Sequence, residues 1–174
     1  MSFEQAIQKT LIWEGGYANL IGDSGGETYR GISRNNWSTW EGWAIVDVAK
    51  SQPNFPKSLD SDTNLLGLVI SFYRQNFWQP EYDELLDEDV ASKIFDIGVN
   101  VGRTHAHKIA QRAAGVQEDG IFGQGTVKAI NSHPTDGSFL KTLECAAESY
   151  HESIVSTHPE DARFLSNWLR RDES

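Results

Sequence analysis

Trp13-Glu14-Gly15-Gly16-Tyr17, followed by Asp23-Ser24-Gly25-Gly26-Glu27-Thr28-Tyr29-Arg30-Gly31-Ile32, is the stretch from which the fold is read. Its first half closes a helix. Ser2 followed by Gln5 fits the capping pattern of a small hydroxyl and a Gln three residues on. Phe3, Ala6, Ile7 and Leu11 then recur at helical spacing as a stripe facing a core. At about 100° per residue, Glu14 falls on that stripe with Phe3 and Ile7. An acid there is unusual, because burying an unpaired carboxylate is costly. Gly15-Gly16 end the helix just past it. The negative end of the helix dipole and the loss of water both favour a neutral, proton-bearing acid in that place. That is the form general acid catalysis uses.

The second half is a loop rich in glycine, with Gly22, Gly25, Gly26 and Gly31 around Asp23, Glu27, Thr28, Tyr29 and Arg30. Glycines let a backbone turn sharply and pass close to a ligand. Such a segment can carry Asp23 and Thr28 back over Glu14. An acid at a helix end facing a second carboxylate across a loop is the arrangement of a glycosidase. The candidate catalytic residues are therefore Glu14, Asp23 and Thr28. Tyr17 and Tyr29, which flank the loop, are candidate substrate-binding residues.

Glu14-Gly15-Gly16-Tyr17, then Asp23-x-Gly25-Gly26-x-Thr28-x-x-Gly31-Ile32, resembles glycoside hydrolase family 108, lysozyme-like N-acetylmuramidases of phages and some bacterial secretion loci. The likeness continues through Phe95-Asp96-Ile97-Gly98-Val99-Asn100-Val101-Gly102, Gln111, Asp119-Gly120-Ile121-Phe122-Gly123 and Thr126. This block is similar to the predicted peptidoglycan-binding segment that follows the catalytic part in that family. The resemblance implies that Glu14 is the catalytic acid. A looser resemblance is to phage lysozymes, which use a Glu, an Asp and a Thr. Asp23 comes nine residues after Glu14, as in that pattern, and Thr28 five after Asp23, one residue short of it.

The expectation is a mainly α, lysozyme-like globule with a small β element near residues 17–32. A muramidase segment would span 1–86 and a peptidoglycan-binding-type segment 87–174, without a linker between them. The implied activity is that of an endolysin or lysozyme, hydrolysis of the β-1,4 bond between N-acetylmuramic acid and N-acetylglucosamine. Two alternatives remain at this point. One is a lytic transglycosylase, and the other is a non-catalytic peptidoglycan-binding or secretion-accessory protein that keeps the fold.

The 174 residues carry a formal charge of −10, which argues against a nucleic-acid partner and against attraction to anionic membranes. The expected partner is a peptidoglycan glycan strand, met by a monomer. Recognition must then rest on shape, stacking and hydrogen bonds, for which six Trp and five Tyr are suited. No run approaches the roughly 20 apolar residues that span a bilayer, and the amphipathic start does not read as a signal peptide. The single Cys145 fits a reducing compartment and reads as a small buried hydrophobe. The expected location is the host bacterial cytoplasm, before holin- or export-dependent release to the wall. His105 and His107 are two apart, on different helix faces, and no zinc-hydrolase spacing occurs. No metal or cofactor is expected.

Elsewhere, Ser33 is expected to cap a short helix through Trp40, and Asp62 or Thr63 to open an apolar helix. Asp87 should cap a helix over Glu88–Val101, on which Asp96 and Asn100 share a face, with Asn100 a candidate substrate-binding residue on a cleft floor. Further helices are expected over Arg103 to Ala114, from an N-cap at Thr126, from Ser138 to about Ser156, and from Asp161 to Arg171. The terminal Arg170-Arg171-Asp172-Glu173 reads as solvated surface.

Overall fold

The computed structural model describes residues 3–19 and 26–172. Helices dominate, with one small antiparallel sheet near the N-terminus, as expected. The chain divides into two compact units. One is Ile7–Asn76 and the other is Met1–Ala6 with Phe77–Ser174.

In the first unit, α1 (Phe3–Trp13) delivers Ile7 and Thr10 to the core, both buried. Three two-residue strands follow, β1 (Tyr17–Ala18), β2 (Thr28–Tyr29) and β3 (Ile32–Ser33), paired in the order β1-β2-β3. Tyr17 pairs with Tyr29 and Tyr29 with Ile32, so these three share a face of the sheet. Then come α2 (Gly42–Ala49), a 3-10 turn (Lys57–Ser61) and α3 (Thr63–Phe77). The Asp62 carboxylate caps α3 by accepting from the Leu65 N–H at 2.9 Å. Leu65, Val69, Phe72 and Tyr73 are its buried face.

Ser33 does not open a helix. It closes β3, and its hydroxyl accepts from the Asn36 N–H in a turn. Trp37, Trp40 and Trp43 are linked instead by successive turns, Trp40 N–H to the Trp37 carbonyl and Trp43 N–H to the Trp40 carbonyl. Their three-residue spacing mimics a helix, but the Trp40 ring lies where a Cβ on Gly42 would stand, and regular helix begins only there. Trp43 is buried, Trp40 half-buried, and Trp37 is 39% exposed.

In the second unit, α4 (Glu88–Val101) is buried along most of its length. The Asp87 side chain caps it by accepting from the Asp89 and Val90 N–H groups. α5 (Arg103–Ala113) and α7 (Ser138–Thr157) pack on α4, and α8 (Ala162–Asp172) packs on α7. Phe3, Trp78, Tyr82, Phe95 and Phe122 form a chain of edge-to-face rings with centroids 5.1–5.6 Å apart. α6 (Gln124–Asn131) is capped at Gly123, not at Thr126, whose hydroxyl is buried and accepts from the Gln111 amide at 3.2 Å.

Two further expectations are corrected here. Cys145 stands exposed on α7, because it falls on the face away from Leu143 and Ala147. Arg171 and Asp172 are buried, because distant α4 and α7 residues neutralise them. Arg171 pairs with both Asp96 oxygens at 2.9 Å, and Asp172 accepts from His151 Nδ1 at 2.7 Å. Lys93 donates to the carbonyls of Arg171 and Asp172, which terminate α8.

His107 ties α5 to the loop at Gly120. The Gly120 carbonyl can only accept, so His107 Nδ1–H donates to it at 3.0 Å, and Nε2 accepts from the Tyr82 hydroxyl at 2.8 Å. Burial pulls the His107 imidazole below its ordinary value. The unfolded imidazole takes up a proton near pH 6.5, whereas the folded one resists. The neutral His107 therefore contributes stability that is complete above about pH 6.5 and is lost as pH falls through the lower folded value. Calorimetry from pH 7.5 to 5 should show a falling melting temperature. His107→Gln, less stable at pH 7.5, should show a shallower decline.

Candidate active site

Glu14 lies one residue past α1 and still continues its ladder, its N–H bonding the Thr10 carbonyl at 3.3 Å. The chain then runs through Gly15-Gly16 into β1. Across from it, β2 and β3 are joined by only two residues, Arg30 and Gly31, with φ of 44° and 77°. A two-residue turn with positive φ at both positions matches the twist of its strands. Glycine takes that conformation freely, but arginine does not. Arg30 is the one non-glycine residue with positive φ among the described residues.

Three contacts hold the turn. The Arg30 N–H donates to the Gly16 carbonyl at 3.1 Å. The buried Tyr73 hydroxyl, from α3, donates to the Arg30 carbonyl at 2.7 Å. The Arg30 Nε donates to the Tyr29 hydroxyl at 3.3 Å. Gly31 completes the arrangement by what it lacks, since a Cβ there would overlap the Glu14 carboxyl and the Tyr73 hydroxyl. The carboxyl is therefore lodged against bare backbone, half-buried, at the end of a helix.

The other sequence candidates separate. Tyr17 is half-buried, its ring edge-to-face with Phe55 at 4.6 Å and its hydroxyl on Glu27 at 2.9 Å. Burial, then the Glu27 carboxylate, pushes the Tyr17 phenol above its usual range. Tyr29 is 1% exposed and hydrogen-bonds the Leu59 carbonyl, so its ring has no open face for a sugar. Thr28 is half-buried in β2, and its hydroxyl donates to the Gly26 carbonyl at 3.3 Å. Asp23 lies outside the described residues. Asn100 belongs to the other unit, where its Nδ2 is 3.4 Å from His151 Nε2.

Glu27 was not singled out in the sequence, yet its side chain is only 10% exposed. Arg34 and Lys50 both pair with it, at 3.0 and 2.7 Å, and both also reach Asp47. This network anchors the start of β2 to α2. In the second unit Gln111 has a comparable role. Its amide donates to Asp119, the Ile121 carbonyl and Thr126, while its oxygen accepts the Gly120 N–H at 2.8 Å. One buried side chain thus fixes the whole Asp119–Gly123 loop. Among the described residues no three His, Cys, Asp or Glu side chains gather closely enough to hold a metal ion, and no helix is long and apolar enough to cross a membrane.

Residues 7–102 match the model of the family described as glycosyl hydrolase 108, and residues 105–173 match a predicted peptidoglycan domain. The chain belongs to the glycosyl hydrolase 108 family. It is a peptidoglycan-degrading glycosidase in the general sense that the two domains define. Among solved structures it is similar to Brucella abortus SagA, with 25% identity, a TM-score of 0.63, and coverage of 98% of this chain and 92% of that one. No curated protein matches the chain.

Gly31→Ala tests the geometry of this site. The left-handed turn costs a residue with a Cβ about 1–2 kcal/mol, so the melting temperature should fall by a few degrees. The added methyl displaces the Glu14 carboxyl, and a misplacement of about 1 Å costs on the order of 10²-fold in rate. Clearance of labelled sacculi should drop accordingly, in a protein whose circular dichroism is unchanged.

Proposed function

We propose that the chain is an N-acetylmuramidase that hydrolyses the β-1,4 bond between N-acetylmuramic acid and N-acetylglucosamine. Glu14 delivers the proton to the leaving oxygen. The observation that carries this reading is the Glu14 carboxyl, placed at a helix end and lodged against Gly31 where no side chain can stand. A glycosidase transition state resembles an oxocarbenium ion, so a carboxylate or an oriented water is required on the opposite face of the sugar. We assign that role to Asp23, nine residues after Glu14 in the glycine-rich loop. Thr28 is assigned to orient water, Tyr17 to stack against a sugar ring, and Asn100 to a glycan contact in the second unit. With a charge of −10 the protein gains nothing from long-range attraction to an anionic wall. The biological setting we propose is that of an endolysin, held in a reducing cytoplasm, where the lone exposed Cys145 stays a thiol.

Glu14→Gln keeps the shape of the side chain and cannot deliver a proton. General acid catalysis is worth about 10² to 10⁴ in rate, and clearance should fall by that factor while the melting temperature is kept or raised. Asp23→Asn should fall nearly as far, and Thr28→Ala less. Mass spectrometry of digested sacculi should show reducing N-acetylmuramic acid ends. Only 1,6-anhydro ends would make the enzyme a lytic transglycosylase, which needs one acid alone. Sacculus binding with no release of label would leave a wall-binding protein.

A further inference from the structure

Tyr73 is buried on α3, and its hydroxyl bonds the carbonyl of Arg30, 43 residues earlier. A carbonyl can only accept, so the single hydroxyl proton is committed there. The bond falls on the residue that most needs it. Arg30 holds a left-handed conformation that a residue with a Cβ disfavours, and its neighbours keep it there, through its carbonyl to Tyr73 and its N–H to Gly16. The same hydroxyl and the Glu14 carboxyl both occupy the space that a Cβ on Gly31 would take. The two groups are therefore neighbours. The phenol oxygen thus holds the Arg30 carbonyl while it stands beside the Glu14 carboxyl.

We propose that Tyr73 is a positioning residue for the glycosidase reaction, its hydroxyl fixing the Arg30–Gly31 turn and the Glu14 carboxyl in one mutual arrangement. The inference rests on Glu14 being the general acid. Tyr73 acts through that residue and through the turn. Tyr73→Phe keeps the ring and its edge-to-face contact with Phe72, centroids 5.4 Å apart, and removes only the oxygen.

The test compares wild type, Tyr73→Phe and Glu14→Gln on a defined peptidoglycan oligosaccharide and on an aryl glycoside of the same sugars. An aryl leaving group of low pKa departs without protonation and so bypasses the general acid. On the oligosaccharide, Tyr73→Phe should lower kcat by about 10- to 100-fold with KM nearly unchanged. On the aryl glycoside, kcat/KM of both variants should return to within about threefold of wild type, because proton delivery no longer limits. Equal deficits on the two substrates, or a raised KM with normal kcat, would assign Tyr73 to folding or binding and overturn the proposal. Wild-type kcat for Tyr73→Phe beside an inactive Glu14→Gln would overturn it and leave the acid standing. An active Glu14→Gln would remove the acid, and Tyr73 with it. If Tyr73→Phe melts below the assay temperature, the comparison is made in an Arg30→Gly background, where glycine takes the left-handed turn unaided.

Discussion

A two-residue hairpin turn with both φ values positive is the constraint on which the Ile7–Asn76 unit depends. It brings bare backbone at Gly31 up to the Glu14 carboxyl, and no other residue type leaves that space open. Every neighbouring element serves to hold it. α1 runs out into glycines, of which Gly16 accepts the Arg30 N–H, and α3 presents Tyr73 to the carbonyl of the same residue. Arginine at a left-handed position is a local cost borne beside the candidate site, and functional sites are a common place for stored strain.

Charge is handled differently in the two units. Around the sheet, Glu27 gathers Arg34 and Lys50, and both also reach Asp47, so a carboxylate that is nearly buried is neutralised from two sides. In the other unit the end of α8 is held by Lys93, Asp96 and His151, which meet Arg171 and Asp172. Burial pulls the Lys93 ammonium downward, against the pull of Asp96, Glu144 and Asp172. Breaking such a buried pair costs more than the pair contributes, because it leaves a charge without a partner. These networks specify geometry, while the net charge of −10 leaves wall recognition to short-range contacts.

Much of the helical framework was legible in the sequence because its signals are local. Asp87 and the apolar spacing after it set α4 at Glu88–Val101, and Asp62 set the start of α3. The place of Glu14 at the end of α1 was legible for the same reason, from an apolar stripe running into glycines. What stayed hidden depends on residues far apart in the chain. Tyr73 reads as one more aromatic of an apolar helix until its hydroxyl meets a turn 43 residues away. Arg171 and Asp172 read as surface because their partners lie 75 residues and more from Arg171, and 21 and 79 residues from Asp172. The tryptophans at 37, 40 and 43 have helical spacing without a helix, since stacked turns share that period. Arg30-Gly31 lacks the Asn-Gly or Asp-Gly signature that marks such hairpins.

The central claim is that Glu14, held against the Arg30–Gly31 turn, protonates the glycosidic oxygen. A crystal structure of Glu14→Gln with a peptidoglycan tetrasaccharide tests it most directly. The account predicts an intact tetrasaccharide whose scissile oxygen lies about 3 Å from the side-chain amide of residue 14, with Gly31 on its other side. A tetrasaccharide bound in an ordered, productive register with its scissile bond beyond the reach of residue 14 would contradict it.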